Sequence, residues 1–456
     1  MPHVKTRGEL ADAAKALAEG YELVYHNSTL YLPFNVCDGS YEPVPAPHER
    51  AWKPLSRADM AHLALTRADV LFSSDAEMNN FQLMLAQLAI RDDRTARGVL
   101  LNTDDGLRAL LDDGKLYEPD GSFYPNYIST PLNTSPEDCA RVRAVIDGWV
   151  GSETEASSLL HHLATALAPS WSAVKYILLL GEGRNGKSVM LQMVVDLFGR
   201  ENTSNVTRQQ MAEFSPVVID LNGKLLNVVF DGAMNYVSDS GLEKTLIAGE
   251  TGYVRKLYQS SQTAVQTNGL FLEALNAEPK SRDKSTALQK RIVRYYFPNV
   301  YELDPVFAEQ MRSEASLGAL LNLLLEHYVT RDRAHELLSP TTSAQERQLD
   351  HMLTNSLPLQ WFEEYVNNYP AASFVGDDVE PFVTAFVPWA LTQENITFST
   401  TEARSQLSQV FRLKRSTRRA QTPRNYWKII SLTPSATHII DLLGVQNEST
   451  TVVVEE

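Results

Sequence analysis

The sequence is poor in cysteine, in long apolar runs and in positive charge, and each shortage excludes a class of protein. Its two cysteines, Cys37 and Cys139, lie far apart without paired spacing, which argues against a disulfide framework or a zinc site. The longest strongly apolar run, Val174–Leu180, is far shorter than the roughly 20 residues that cross a bilayer. The N-terminus lacks the charged-then-apolar pattern of a signal peptide. We therefore expect a soluble, cytoplasmic protein without a membrane partner.

The charge balance limits how the chain can contact nucleic acid. A formal net charge of −15 argues against a protein that coats nucleic acid indiscriminately, because a polyanion repels acidic surfaces. Between Ala403 and Lys428, however, there are many Arg and Lys residues and no Asp or Glu. Contact with nucleic acid is therefore expected in this stretch or in a pore.

The pattern of apolar residues and breakers divides the 456 residues into several parts. From about Val174 to Phe297, apolar strands alternate with helices, which predicts an α/β core with a largely parallel sheet. Near the C-terminus, a helical pattern covers Thr400–Phe411 and a final strand is predicted at Tyr426–Leu432. The predicted parts are an α+β module (1–132), a helical collar (133–172), the α/β core (173–338), a compact helical module ending in a β-wing (345–447) and a tail (448–456).

The sharpest motif is GxxxxGKS between an apolar strand and a helix, at Gly181–Ser188. Its glycines let the loop wrap a polyphosphate with backbone N–H groups pointing inward, and the helix N-terminus adds positive potential. Lys187 is expected to hold the β- and γ-phosphates of ATP, and Ser188 a Mg²⁺ ion. We expect the nucleotide to contact the whole loop: Gly181, Glu182, Gly183, Arg184, Asn185, Gly186, Lys187 and Ser188.

A carboxylate for the metal is expected on a neighbouring strand. The apolar run Leu225–Phe230 ends in Asp231, shortly after the phosphate loop. Asp231 is therefore the predicted acidic residue, completing the Mg²⁺ shell or polarising the attacking water.

The order of several motifs resembles the superfamily 3 helicase core of phage and poxvirus primase-helicases. These motifs are the phosphate loop, the strand ending at Asp231, the segment Leu242–Tyr258, the strand Leu270–Pro279 and the segment Lys290–Phe297. The resemblance is strong over about Val174–Phe297 and weaker on either side. It implies an AAA+-like P-loop NTPase core, an N-terminal helicase-associated collar and a C-terminal winged-helix-like domain.

The resemblance also implies roles for single residues. Asn276 would be the polar sensor of the γ-phosphate or attacking water. Arg291 would be an arginine finger that reaches the ATP of a neighbouring subunit, which requires a ring; Lys290 or Arg294 are alternatives for this finger. Arg255 and Lys256 match the position of the family's pore hairpin and would grip DNA phosphates.

The C-terminal basic stretch mixes cations with the aromatics Phe411, Tyr426 and Trp427, a combination suited to phosphate contact and stacking. A solvent-exposed basic face that pairs with the chain's own carboxylates is the alternative interpretation. The candidate DNA-binding residues here are Arg415, Arg418 and Arg419.

The chain departs from the family at two places. Many members have two adjacent acidic residues after the second strand, whereas here Gly232 follows Asp231, so Glu250 or a residue of another subunit is considered as the catalytic base. A primase domain would need upstream metal-binding carboxylates, and the pairs Asp92-Asp93 and Asp104-Asp105 are interpreted as turn residues. We therefore expect a separate primase or polymerase partner.

These observations predict an ATP- and Mg²⁺-dependent DNA helicase or translocase. The resemblance implies that it acts as a ring, expected to be a hexamer, on single-stranded and forked DNA. It would act during replication of a phage or mobile element, and in the bacterial host cytoplasm if a phage encodes it. One alternative is a nucleotide-gated origin-binding or replisome scaffold with little hydrolysis. The other is an ATPase motor that does not depend on DNA.

Overall fold

A computed structural model describes most of the chain, and it divides the chain into two compact units, residues 1–341 and 342–456. The described residues are 6–27, 29–37, 39–41, 47–91, 98–232, 241–255, 262–276, 291–339, 341, 357–369, 374, 377–394, 397–418, 424–433, 436–437 and 439–440. Three residues with predicted roles, Lys256, Lys290 and Arg419, lie outside them.

The first unit begins with a mixed α/β region. Helix α1 starts at a capping box, in which Thr6 accepts a hydrogen bond from the backbone N–H of Glu9 and the Glu9 side chain returns to the Thr6 backbone. Four strands form a sheet in the order β3-β2-β1-β4. The elements are α1 (Arg7–Tyr21), β1 (Val24–His26), β2 (Thr29–Asn35), β3 (Arg50–Pro54), α2 (Arg57–Ala68), α3 (Asp75–Leu88) and β4 (Ile90–Arg91).

A second four-stranded sheet and two helices connect this region to the core. The sheet has the order β7-β6-β5-β8. Both following helices start at serine N-caps, Ser135 and Ser152, whose side chains accept backbone N–H groups of the first turn. The elements are β5 (Gly98–Thr103), β6 (Gly106–Leu111), β7 (Leu116–Tyr117), β8 (Tyr127–Pro131), α4 (Pro136–Val150) and α5 (Glu153–Ala164).

The core is a five-stranded sheet in which every recorded pairing is parallel, in the order β10-β11-β14-β9-β15. This confirms the predicted α/β class with a parallel sheet. A separate antiparallel hairpin, β12–β13, is inserted before β14. The elements are β9 (Tyr176–Leu180), α6 (Lys187–Phe198), β10 (Thr203–Ser204), α7 (Arg208–Ala212), β11 (Leu226–Val229), α8 (Gly241–Ile247), β12 (Gly252–Arg255), β13 (Gln262–Val265), β14 (Leu270–Leu275) and β15 (Ile292–Tyr296).

Both faces of the parallel sheet are buried, as its continuous apolar strands require. On one face, alternate residues such as Ile177 and Leu272 share a core with α4, α5, α6 and the later helix Glu314–Glu326. On the other face, Leu178 and Phe271 pack with residues of α8 and of the β12–β13 hairpin. Three more helices complete this unit: α9 (Pro305–Met311), α10 (Glu314–Glu326) and α11 (Ala334–Leu337).

The second unit has its own apolar core, rich in phenylalanine, around Phe362, Phe374, Phe386 and Phe411. Its antiparallel hairpin includes a strand that the sequence did not predict, β16, which begins at the residue where the predicted helical pattern ended. The elements are α12 (Leu357–Asn368), α13 (Glu380–Glu394), α14 (Thr400–Leu407), β16 (Phe411–Arg418) and β17 (Arg424–Leu432). Within the described residues, no helix is long and apolar enough to cross a membrane.

Candidate functional site

The predicted phosphate loop lies between the fully buried strand β9 and helix α6. Gly183 and Gly186 have φ angles of 110° and 91°, in the region that glycine adopts at no steric cost. A Cβ built at Gly186 would overlap Trp149 Nε1 and lie 2.7 Å from Trp149 Cε2, whereas a Cβ at Gly183 would meet nothing within 4 Å. The loop therefore needs glycine at 186 for close packing against α4 as well as for its backbone angle.

Lys187 is the first residue of α6, and its side chain folds back over the loop. Its Nζ donates to the carbonyl oxygen of Gly181 at 2.6 Å and to Asn185 Oδ1 at 2.9 Å. The residue is only 5% exposed, and burial lowers the pKa of its ammonium group below the usual value. A buried ammonium at a helix N-terminus concentrates positive potential where an anion would be bound.

The loop is also hydrogen-bonded to the segment that follows β15. The buried Asn185 donates from Nδ2 to the carbonyl oxygen of Phe297 at 3.2 Å. The backbone N–H of Tyr301 donates to the carbonyl oxygen of Arg184 at 2.7 Å. The loop is thus held from two sides, which limits how far it can rearrange.

The parallel pairing brings further predicted residues to the edge that carries the loop. Strand β14 lies between β11 and β9, so Asp231 and Asn276 follow the carboxyl ends of two strands on the same side of β9. The N–H of Gly232 donates to the carbonyl oxygen of Ala274, and that of Gly181 donates to Leu275. Ser188, Asp231 and Asn276 are all exposed. Their hydroxyl, carboxylate and amide groups are oxygen donors of the kind that Mg²⁺ accepts together with phosphates and water.

The two described candidate fingers, Arg291 and Arg294, are not at this edge of the sheet. Arg291 precedes β15 at the opposite, amino end of the sheet, where its carbonyl accepts from Tyr176 and its Nη1 donates to the carbonyl oxygen of Lys244 at 2.8 Å. Arg294 lies within β15 and is buried. Arg291 is half-buried, so it is the more accessible of the two.

Glu250, the alternative candidate for the catalytic base, also lies at the amino end of the sheet. The preceding Gly249 is so close to Ser172 and Asn268 that an added Cβ would lie 3.0 Å from Ser172 Cβ and 2.8 Å from Asn268 Oδ1. Those two residues precede β9 and β14. Within one subunit, Glu250 is therefore at the edge opposite to Asp231.

A buried polar cluster near Gly232 was not predicted from the sequence. Tyr176 donates its hydroxyl to Glu273 Oε2 at 3.0 Å, and Arg208 donates to Glu243 at 2.7 Å while lying over the Tyr176 ring. Burial raises the pKa of Glu273 to about 7; Arg208 and the Tyr176 hydrogen bond oppose this, and Glu243 adds to it. The signal that could have revealed the cluster is a single carboxylate inside the apolar strand LFLEAL.

The predicted DNA contacts lie on two hairpins, one in each unit. Arg255 is exposed at the end of β12, opposite Gln262. In the second unit, Arg412, Lys414 and Arg415 are exposed on β16, and Arg418 is its last residue. Trp427, paired with Arg415, is 37% exposed. The predicted mixture of cations and an accessible aromatic ring is therefore present on this hairpin.

Comparison with known proteins does not assign a family. No family model and no curated protein matches the sequence. Two solved structures of an NrS-1 C-terminal region, one an apo structure and one an A-form apo structure, are each 12% identical. The first covers 94% of this chain and 100% of that chain with a TM-score of 0.45; the second covers 92% and 99% with a TM-score of 0.43. Similarity at this level assigns neither a family nor an activity.

The packing of Trp149 on the loop leads to a stability prediction. Gly186→Ala should lower the free energy of unfolding by about 1–3 kcal/mol more than Gly183→Ala, because both positions have positive φ but only Gly186 touches the indole ring. Chemical denaturation followed by tryptophan fluorescence measures the difference. Equal destabilisation by the two substitutions would mean that backbone strain, and not the packing of Trp149, decides the cost.

Proposed function

We propose that this chain is a Mg²⁺-dependent ATPase that moves along DNA as a ring, in the manner of superfamily 3 helicases. The observation that carries the proposal is the position of Lys187: a buried ammonium at the N-terminus of α6, at the same sheet edge as Asp231 and Asn276. Such an arrangement suits an anionic polyphosphate whose terminal group is transferred. Few other ligands need a cation, backbone N–H groups and a neighbouring carboxylate together.

In the proposed reaction, Lys187 binds the β- and γ-phosphates and Asn276 orients the γ-phosphate or the attacking water. Ser188 and Asp231 would hold Mg²⁺, which neutralises charge on the phosphates when it is bound. Arg291 of a neighbouring copy would stabilise the charge that develops on the transferred group, a contribution of roughly 10³–10⁵ in rate for such fingers. Its location away from its own phosphate loop supports a contact made between subunits.

The DNA part of the proposal is supported by the exposed cations on the two hairpins. Arg255, on β12, would contact the translocating strand in the ring's pore. The β16–β17 hairpin would contact duplex or forked DNA through phosphates and through stacking on Trp427. The net acidic charge of the rest of the chain would confine binding to these places.

A nucleotide-gated scaffold is the second candidate function, favoured by one observation: Gly232 follows Asp231 after β11, where a second acidic residue would assist hydrolysis. Such a protein would bind ATP and assemble on DNA with little turnover. A motor that does not depend on DNA is the third, and the exposed basic hairpins count against it.

Steady-state ATP hydrolysis with and without single-stranded DNA separates these functions. We expect DNA to stimulate turnover of the wild type, and Lys187→Ala to reduce it by about 100-fold or more, because the phosphates lose their buried cation. Lys15→Ala, which removes an exposed lysine from α1, is the matched control and should leave the rate unchanged. ATP binding and assembly without turnover would support the scaffold, and turnover indifferent to DNA would support the third function.

Salt dependence tests the basic hairpin. Replacing Arg412, Lys414 and Arg415 by Gln should make the log–log dependence of duplex affinity on salt shallower by about 0.9 for each phosphate that the hairpin no longer binds. Replacing Lys15, Arg67 and Lys115, which are also exposed, removes the same charge from the other unit and should leave the slope as it is. If both triple variants change the slope equally, the effect is one of net charge and the hairpin is not a DNA-binding surface.

A further inference from the structure

P-loop NTPases place a residue that accepts a proton from the attacking water or orients it, and Gly232, the residue after Asp231, has no side chain for this role. The residue after Asp231 is Gly232, which is buried and hydrogen-bonded through its N–H to Ala274 on β14. Glu250 lies at the opposite edge of the sheet. Among the described residues, a carboxylate on another element that reaches the space beside Gly232 is therefore a candidate for this role.

That space is filled by a carboxylate from the neighbouring strand. A Cβ built at Gly232 would overlap Glu273 Oε1, and it would lie 2.6 Å from Glu273 Cδ and 2.7 Å from Leu275 Cδ2. Glu273 is on β14, paired with Val229 of β11, and is 3% exposed. A side chain at position 232 would therefore have to displace the carboxyl group of Glu273 and the end of the Leu275 side chain.

We propose that Glu273 supplies, from strand β14, the second carboxylate of the nucleotide site and acts as the general base for ATP hydrolysis. This inference rests on the proposed function and goes beyond it by naming the base. The acidic residue would then lie on the adjacent strand and not at the position after Asp231, and Gly232 leaves room for its carboxyl group.

The surrounding groups hold the carboxylate and leave it able to accept a proton. Tyr176 of β9 donates to Oε2, which leaves Oε1 as the oxygen nearer to Gly232. Arg208 of α7 is hydrogen-bonded to Glu243 of α8, so its charge is shared with a second carboxylate. Burial brings the pKa of Glu273 to about 7, within the range that suits a general base at neutral pH.

The proposed hydrolysis needs no reactant besides ATP and water. The oxygen of the attacking water forms a bond to the γ-phosphorus while the bond between that phosphorus and the β–γ bridging oxygen breaks, and ADP leaves with the electron pair. One proton of the water passes to Glu273 Oε1 and then to solvent, and the other remains on the oxygen that becomes part of the phosphate. The products are ADP and inorganic phosphate, and the carboxylate is regenerated.

The first test is Glu273→Gln in the full-length protein. The amide is isosteric and its oxygen can still accept from Tyr176, so a fluorescent ATP analogue should bind as to the wild type while DNA-stimulated turnover falls by about 100-fold or more. Glu19→Gln, which makes the same change at an exposed carboxylate of α1, is the matched control and should leave the turnover unchanged. Turnover close to that of the wild type in Glu273→Gln would overturn the proposal, as would loss of nucleotide binding together with turnover, which would mark Glu273 as structural.

A second test exchanges the two positions. Gly232→Glu alone should impair the protein, because its side chain collides with Glu273. Gly232→Glu combined with Glu273→Ala should raise turnover at least about tenfold above that of Glu273→Ala alone, because the carboxylate returns to the position after Asp231. A structural role for Glu273 predicts no such recovery, and its absence would count against the base.

The experiments distinguish failure of the proposed ATPase function from failure of the assignment of Glu273 as the base. If the wild type hydrolyses ATP and both Glu273→Gln and the exchanged variant behave like the wild type, only the assignment of the base is wrong. If the wild type binds ATP and assembles on DNA without turnover, both the proposed hydrolysis and the assignment of Glu273 as its base are wrong.

Discussion

The parallel pairing of β11, β14 and β9 is the constraint on which the rest of the first unit depends. In a parallel sheet the carboxyl ends of all strands meet at one edge, so a loop, a carboxylate and an amide from distant parts of the chain come together without any direct contact between them. The register joins Val229 to Glu273 and Leu178 to Glu273, which fixes the level of the three strands relative to one another. A slip of one residue would exchange the two faces of β14 and remove Glu273 from its partners.

Because both faces of this sheet are covered, elements outside it also determine the geometry of the site. The helices α4 and α5 share one apolar core with α6, and Trp149 of α4 touches the loop at Gly186. The region predicted to be a helical collar therefore packs directly against the phosphate loop. On the other face, the side chain of Leu242 in α8 approaches Gly252 of β12 so closely that an added Cβ would overlap it. Helix α8 thus connects the buried cluster, through Glu243, to the hairpin that carries Arg255.

The sequence was informative where chemistry and secondary structure coincide in one short segment. The motif Gly181–Ser188 predicted a loop between a strand and a helix, and the parallel α/β core followed from the alternating apolar strands; both elements and the class are present. It was less informative where the decisive contact is between strands. Nothing in the local sequence of Gly232 or Glu273 indicates that they touch, because strand order and register are set by the whole sheet. The same reason explains why strand β16 was missed. Its many cations make the alternation of apolar residues hard to recognise in the sequence, and the strand is defined by its pairing with β17.

The buried cluster shows why Glu273 cannot be treated as an isolated carboxylate. An ionised carboxylate without a partner is costly in an apolar core, and a pair of carboxylates with one arginine leaves a net negative charge to be stabilised. The Tyr176 hydroxyl provides a hydrogen bond to Glu273, and Arg208 is held between Glu243 and the face of the Tyr176 ring. These contacts hold the group in place, and burial raises its pKa to about 7 although Arg208 and the Tyr176 hydrogen bond oppose the rise. Burying an ionisable carboxyl group beside Gly232 costs folding free energy, and such a cost is typical of positions where a protein retains a group for its chemistry.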